Sequence, residues 1–318
     1  MLSCRGMFKK FIPLFALLLI GCGNKKNSDS KDGSGDQKNE ASYKIVYLTA
    51  PYKSYIDAVK KDYSNKGKIY DEKLINPLIN NYFSKCEYLD LFRYGYSYFI
   101  PDTMGIEHAI NGITSNKSEI EEAIHKSINK CNDYLKDDSI TFYVQPPNIS
   151  KSEILNRMGG VTGMTIGSKH ILITVDTDVN GWKEGMEYCV AREFLHSYWT
   201  TTHYDSTFKW TLLRYLVYEG KADVFAKKLY PNAKAPWTSA LDEPKKLELW
   251  EKIKPRLSTR NFFFIPEVMF GSKDYPLWSG YTMGYKMVQD GLKSQPNLKL
   301  EEWVALDAEK IRDMSGWK

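Results

Sequence analysis

The residues whose types and spacing could do chemistry lie in Ala191-Arg192-Glu193-Phe194-Leu195-His196-Ser197-Tyr198-Trp199. On a helix, positions four apart rise about 6 Å along one face. In the pattern H-E-x-x-H, two imidazoles at that spacing meet one metal ion, with the intervening Glu poised over a metal-bound water. The chemistry of such an arrangement is metal-assisted hydrolysis. Here the first of the two positions is Arg192. A guanidinium stays protonated and has no lone pair to give a metal. Either the metal has been lost, or it is held in a weakened way.

The segment around Glu193 and His196 is apolar on nearly every side, through Met186, Val190, Ala191, Phe194, Leu195, Tyr198 and Trp199. A helix of that kind belongs inside a protein. Buried Arg, Glu and His then need partners, because unpaired charge in a low dielectric is too costly to keep. Candidates follow 23 residues after His196, in Tyr218-Glu219-Gly220-Lys221-Ala222-Asp223. The spacing Glu219-x-x-x-Asp223 puts both carboxylates on one helix face. Alone, that spacing is a common surface pattern.

Together, the two motifs are similar to those of gluzincins, of which thermolysin is the familiar example. There the third zinc ligand is a Glu on a second helix, and an acid four residues later braces a ligand histidine. More specifically, the chain resembles a family of predicted zinc-dependent proteases, a domain of unknown function near the thermolysin-like gluzincins. The family's helix motif is similar to A-H-E-[YF]-x-H-x, which Ala191 to Ser197 match except at Arg192. The resemblance continues through Glu219 to Asp223, Trp278-Ser279-Gly280-Tyr281-Thr282-Met283-Gly284-Tyr285 and Leu300-Glu301-Glu302-Trp303, and spans roughly Ile140 to the C-terminus.

The resemblance implies His196 and Glu219 as zinc ligands, Glu193 as general base toward a metal-bound water, and Asp223 as the brace behind the ligands. Tyr281 or Tyr285 would hydrogen-bond the tetrahedral oxyanion. Arg192 instead places a positive charge where Zn²⁺ would sit. It could replace the metal structurally by a salt bridge to Asp223 or Glu219. Two other histidines compete for the missing ligand position, His170 and His203. His203 lies seven residues past His196, about 10.5 Å along a continuous helix. It qualifies only if the helix ends near Thr200, which Thr200-Thr201-Thr202 permits.

The elements that must position these residues follow from periodicity. Tyr43 to Leu48, Ile140 to Val144, a glycine-bounded run over 159–167, and His170 to Val175 predict strands, the last two joined by a hairpin at Gly167-Ser168-Lys169. A sheet just before the catalytic helix has an edge that could hold an extended peptide by strand addition. Helical spacing marks Tyr52 to Tyr63 and Leu74 to Leu91. A capping box, Ser118-x-x-Glu121, precedes the amphipathic run Ile120, Ile124, Ile128, Cys131, Leu135. His108 and His125 have no partner ligands nearby in sequence and read as surface or structural histidines. After Trp182 the pattern predicts helices over Glu184 to Trp199, Phe208 to Leu229, Pro244 to Ile253, Tyr281 to Leu292 and Leu300 to Ile311. The aromatic cluster Asn261-Phe262-Phe263-Phe264 reads as core. The expected fold is therefore α+β, a small β-sheet followed by a mainly helical, gluzincin-like metallopeptidase domain.

The first 21 residues combine Arg5, Lys9 and Lys10 with the apolar run Phe11 to Ile20, too short to span a bilayer permanently. The run ends in Leu19-Ile20-Gly21-Cys22, which resembles a lipobox whose cysteine becomes lipidated. Residues 22–42 then form a flexible tether, 43–139 a mainly helical N-terminal region, and 140–318 the protease-like domain. Most of the formal charge of +5 sits in residues 1–21. No basic stripe interleaved with aromatics follows, so nucleic acid is excluded as a partner. The expected address is extracytoplasmic, with the membrane reached through a lipid anchor at Cys22 and a peptide or protein as substrate or ligand. Cys86, Cys131 and Cys189 read as buried free thiols, although a Cys86–Cys131 disulfide remains open. Two functions compete. One is a zinc metallopeptidase, its water activated by Glu193 if His196 and Glu219 hold the metal. The other is an inactive homologue that binds a peptide or envelope partner. A third possibility, a solute-binding lipoprotein, accounts for the tether but not for the paired motifs.

Overall fold

The computed structural model describes residues 42–96, 100–101, 103–137, 139–148, 152–204 and 209–317. The signal-like segment, Cys22 and nearly all of the tether lie outside these residues. Strands β1 (Tyr43–Tyr47), β2 (Ile140–Gln145), β3 (Val161–Gly167) and β4 (His170–Val175) form one sheet in the order β1-β2-β4-β3. β1 runs parallel to β2 with Ile45 opposite Phe142, and β2 parallel to β4 with Phe142 opposite Ile171. β3 returns antiparallel to β4 with Gly163 opposite Ile173, and so forms an edge. The hairpin turns at Lys169, whose φ is +66°.

The central strands read ITFYVQ and HILITV, apolar at successive positions, as strands covered on both faces should be. Their alternation sorts side chains between two cores. Phe142, Val144, Ile171 and Ile173 face one, while Tyr143 and Leu172 face the other.

Parallel β1 and β2 need a long crossover. It is supplied by α1 (Thr49–Lys61), a helical stretch α2 over residues 66–83 with π-helical turns at Asp71–Ile75 and Ile79–Phe83, α3 (Leu89–Tyr96), α4 (Thr103–Ser115) and α5 (Lys117–Asn132). α1, α2 and α4 cover the Tyr143 face through Tyr55, Leu74, Leu78 and Ile110. The short α6 (Glu153–Arg157) precedes β3. After β4 come α7 (Trp182–His203), α8 (Leu212–Leu229), α9 (Glu243–Ile253), α10 (Phe264–Phe270), α11 (Ser279–Ser294), α12 (Leu300–Ala305) and α13 (Ala308–Ser315). α5 and α7 cover the Phe142 face through Ile124, Ile128, Met186, Val190 and Phe194. α8 belongs to two cores. Phe225 and Ala226 complete the core beneath the sheet, whereas Leu212 and Leu216 join Trp250, Val268, Met283 and Ile311 in a helical core of their own. The fold is α+β, with a small mixed sheet followed by a mostly helical region.

Several expectations change. α4 runs almost directly into α5, and the Ile120 N–H already bonds the Asn116 carbonyl. Ser118 therefore lies inside the first turn of α5, its hydroxyl on Glu119, and caps nothing. The helix expected over Leu74 to Leu91 breaks after Phe83, where the Tyr88 N–H bonds Ile166 of β3 at 2.7 Å. The last helix splits at Leu306-Asp307, because the Asp307 side chain caps a new start at Lys310 N. Of the aromatic cluster read as core, Phe264 is buried but Phe263 is 60% exposed, and the run leads into α10, which periodicity did not reveal. Cys86, Cys131 and Cys189, by contrast, are the buried free thiols expected, with no Cys86–Cys131 disulfide.

α8 and α11 cross with their backbones touching. A Cβ on Gly220 would lie 2.2 Å from the Gly284 carbonyl oxygen, and one on Gly284 would lie 2.0 Å from that of Leu216. Two glycines thus bring the Glu219–Asp223 face and the Tyr281 segment to within reach of α7.

Candidate active site

α7 follows Gly181, whose φ of +89° suits glycine, and runs unbroken from Trp182 through the threonine run to His203. The hydroxyls of Thr200, Thr201 and Thr202 bond back to the carbonyls of His196, Ser197 and Tyr198, at 2.7, 3.0 and 3.1 Å. Those bonds satisfy the hydroxyls within the helix and allow it to continue. His203 is thereby carried two turns beyond His196. It stacks on Trp199 and meets Thr202, and so joins no site with His196. His170 bonds the Tyr143 hydroxyl at 3.1 Å, on the core across the sheet. His108 pairs with Asp178 and His125 with Tyr43, as the surface or structural roles read from sequence require.

Arg192, Glu193 and His196 do converge with Glu219 and Asp223. The guanidinium of Arg192 is the hub. Its NH1 donates to Glu193 Oε1 at 2.7 Å, its NH2 donates to Glu219 Oε2, and its Nε lies 3.4 Å from Asp223 Oδ1. The Tyr281 ring lies over its far side, 5.6 Å from centroid to Cζ. Three carboxylates from two helices therefore surround one cation. Burial alone would lower the Arg192 pKa, but Glu219, Asp223 and Glu193 outweigh it and hold the group well above its ordinary value. Burial would likewise raise Glu219, and Arg192 with His196 overcome it, leaving that carboxyl below the usual range. Asp223, wholly buried, stays raised despite Arg192.

Neighbours hold each carboxylate in place. Glu193 Oε2 accepts from the Thr165 N–H at 2.8 Å and from its hydroxyl at 3.0 Å, which fastens α7 to edge strand β3. The chain of Glu193 passes beside Gly163, where a Cβ would lie 2.3 Å from Glu193 Cγ and 2.7 Å from Cys189 Sγ. Asp223 Oδ1 accepts from the Tyr188 hydroxyl at 2.9 Å and Trp237 Nε1 at 2.8 Å. His196 stacks on Tyr218 at 3.9 Å, and its Nε2 lies 3.4 Å from Glu219 Oε2 without hydrogen-bond alignment. Tyr285, the other tyrosine considered, accepts from Gln289 Nε2 at 3.4 Å. A cavity of about 10 Å³, room for a single water, lies against His196, Tyr218 and Lys221.

Thr165, Tyr188, Trp237, Tyr218 and Gly163 were not singled out from the sequence. Tyr188 had a local signal, being four residues before Arg192 on the same helix face. Thr165 and Trp237 come from distant segments and had none.

Residues 120–313 match the protein family described as Predicted Zn-dependent protease (DUF2268). This chain belongs to that family. Comparison with curated proteins and with solved structures gives no match.

The family description implies zinc, so the donor set must be tested against it. Two zinc ligands at about 2.0–2.1 Å in tetrahedral geometry lie about 3.3 Å apart. The His196 Nε2–Glu219 Oε2 separation of 3.4 Å fits that value, and the imidazole nitrogen has no hydrogen-bond partner. The rest does not fit. The position four before His196 offers a guanidinium, and that guanidinium already holds Glu219 Oε2. Among the described residues no group of three or more His, Cys, Asp and Glu side chains could hold a metal ion. Against the three protein donors of such a zinc site, this chain offers two at ligand spacing, His196 and Glu219, and a protein cation where the third would stand.

Proposed function

We propose that this chain is a membrane-tethered, extracytoplasmic member of the zinc-protease family that binds a peptide or envelope protein without cleaving it. One observation carries this reading: Arg192 holds both carboxylates that hydrolysis would require. Its NH1 is on Glu193, the general base that the resemblance implies, and its NH2 is on Glu219, the implied ligand. The second oxygen of Glu193 is taken by Thr165. A base must reach the proton it abstracts, and here both oxygens accept from resident donors. The basic start, apolar run and Leu19-Ile20-Gly21-Cys22 support lipidation at Cys22 and the extracytoplasmic address.

The competing reading is a working peptidase in which His196 and Glu219 hold zinc and Glu193 activates water. It draws on the family match and on the spacing of those two donors. The purified full chain in detergent, incubated with unfolded casein and excess zinc, separates the two. We expect cleavage no faster than with Glu193→Gln. Zinc-dependent cleavage that disappears in Glu193→Gln would establish the peptidase instead.

A further inference from the structure

We infer that the Arg192 side chain does the work of two missing parts, a ligand imidazole and the metal ion it would bind. The inference rests on the reading of the site as one without a catalytic metal, and explains how the site remains folded.

Three observations lead to it. First, the three edges of the guanidinium go to three different carboxylates. Nε faces Asp223, the residue that the resemblance makes the brace of a ligand histidine, at 3.4 Å. An imidazole N–H at this position would address the same carboxylate. The two terminal nitrogens lie one bond layer further out, on Glu219 and Glu193, where a dication would draw carboxylate oxygens together. A planar fork with five donors can serve both layers, and a lysine ammonium, a single point charge, cannot.

Second, the parts that Arg192 does not replace keep their metal-site geometry. His196 Nε2 and Glu219 Oε2 stand 3.4 Å apart, at tetrahedral ligand spacing, although a direct hydrogen bond would draw them closer. Tyr218 stacks on the imidazole at 3.9 Å, and Tyr188 and Trp237 fix Asp223.

Third, the substitution is incomplete. Four buried side-chain polar atoms lack a hydrogen-bond partner among the described residues, and three belong to this cluster: Arg192 Nε, His196 Nε2 and Asp223 Oδ2. A guanidinium supplies one positive charge to three carboxylates and does not have the reach to align with every atom around it. Buried orphans are rare in native proteins, and their concentration here marks where the arrangement was built around another occupant.

It follows that the chain is one residue short of a zinc site. Arg192→His should take up about one zinc per chain at micromolar free zinc, measured by elemental analysis after gel filtration. Binding should disappear in Arg192→His combined with His196→Ala, and thermal unfolding should shift upward with zinc in Arg192→His alone. The unmodified chain should show neither effect. A folded Arg192→His that takes up no zinc overturns the inference, as does stoichiometric zinc in the unmodified chain that is lost on His196→Ala. If Arg192→His does not fold with or without zinc, Arg192→Lys decides. The inference requires the lysine variant to unfold at lower temperature than the unmodified chain, and equal stability overturns it. Casein cleavage by the unmodified chain is scored separately, so failure of the non-cleaving reading is distinguishable from failure of the surrogate.

Discussion

Two buried polar networks lie on opposite sides of the sheet, and they are built differently. On the side of α1 and α2, the Tyr52 hydroxyl lies 3.1 Å from Gln145 Oε1 and 3.0 Å from Asn148 Oδ1. Gln145 Nε2 reaches Thr174 at 3.0 Å, and Asn148 Nδ2 reaches Tyr70 at 3.1 Å. Every group is neutral, and none of these atoms lacks a partner. On the side of α7 and α8, one guanidinium faces three carboxylates, and three atoms go unpartnered. A neutral, satisfied network fixes a fold at little electrostatic risk. A charged, partly satisfied one is expensive to maintain, and its presence at the motif residues is what a site retained from metal chemistry would leave behind.

The contrast is most sharply tested by removing the hub. Arg192→Ala leaves the buried Glu193 and Asp223 and the partly buried Glu219 without their cation, and should destabilise the protein by about 3–5 kcal/mol at neutral pH in urea unfolding. The loss should depend on pH. The pair depresses the folded Glu219 pKa, so its contribution is complete above the unfolded carboxyl range of about 4.3 and is lost as pH falls through the lower folded value. The gap between Arg192→Ala and the unmodified chain should therefore close in acid. Adding Glu219→Ala to Arg192→Ala should restore part of the stability, because one stranded charge is then gone. A loss below about 1 kcal/mol would mean that the cluster is solvated and the contrast empty.

Lys221 sharpens the comparison from the other direction, as a buried cation with carbonyl partners. It sits between Glu219 and Asp223 in sequence but on another face of α8. Its Nζ donates to the Val304 carbonyl at 2.9 Å and the Leu306 carbonyl at 2.5 Å, at the C-terminal end of α12. Burial lowers its pKa to about 7. Free lysine titrates near 10.4, so between those values the unfolded chain carries a proton that the folded chain has released. Stability should then rise as pH increases through that window, by up to about 4 kcal/mol. Lys221→Met should remove that rise, measured by unfolding at about pH 7 and about pH 10. An unchanged slope would show that the carbonyls keep Lys221 charged in the folded state.

How much of this was legible beforehand depended on distance along the chain. The convergence of Arg192, Glu193, His196, Glu219 and Asp223 was readable because each helix presents its own residues at fixed spacing, and buried charges require one another. The strands were readable from runs such as ITFYVQ, whose apolar residues on both faces have no other use. The supports were not. Thr165 reaches Glu193 only because β3 is the edge strand beside α7, and Trp237 reaches Asp223 from the short 3-10 turn Pro236–Ser239 between α8 and α9. The end of α7 was misjudged for a chemical reason. A run of threonines such as 200–202 permits a helix to stop, but here their hydroxyls bond carbonyls four residues back and the helix continues. Ser118 had the sequence of a cap, but α5 starts one residue before it, with Asn116 in the cap position directly after α4.

The smallest expected effect tests the neutral side of the comparison. Gln145 is fully buried at the end of β2, and Gln145→Leu is close to it in volume, so the change removes hydrogen bonds more than packing. Among the described residues it takes away a donor to Thr174 and one of two acceptors near the Tyr52 hydroxyl, and the other, Asn148 Oδ1, remains. The expected loss is about 1–2 kcal/mol, below that of Arg192→Ala because no ionised group is stranded. Its pH profile is the more telling measurement. With no charge among the described members of the network, the difference between Gln145→Leu and the unmodified chain should be the same below about pH 4 as at neutral pH, a span over which that of Arg192→Ala shrinks. A Gln145→Leu deficit that also collapsed in acid would place an ionisable group in the neutral network, and the distinction between the two sides of the sheet would fail.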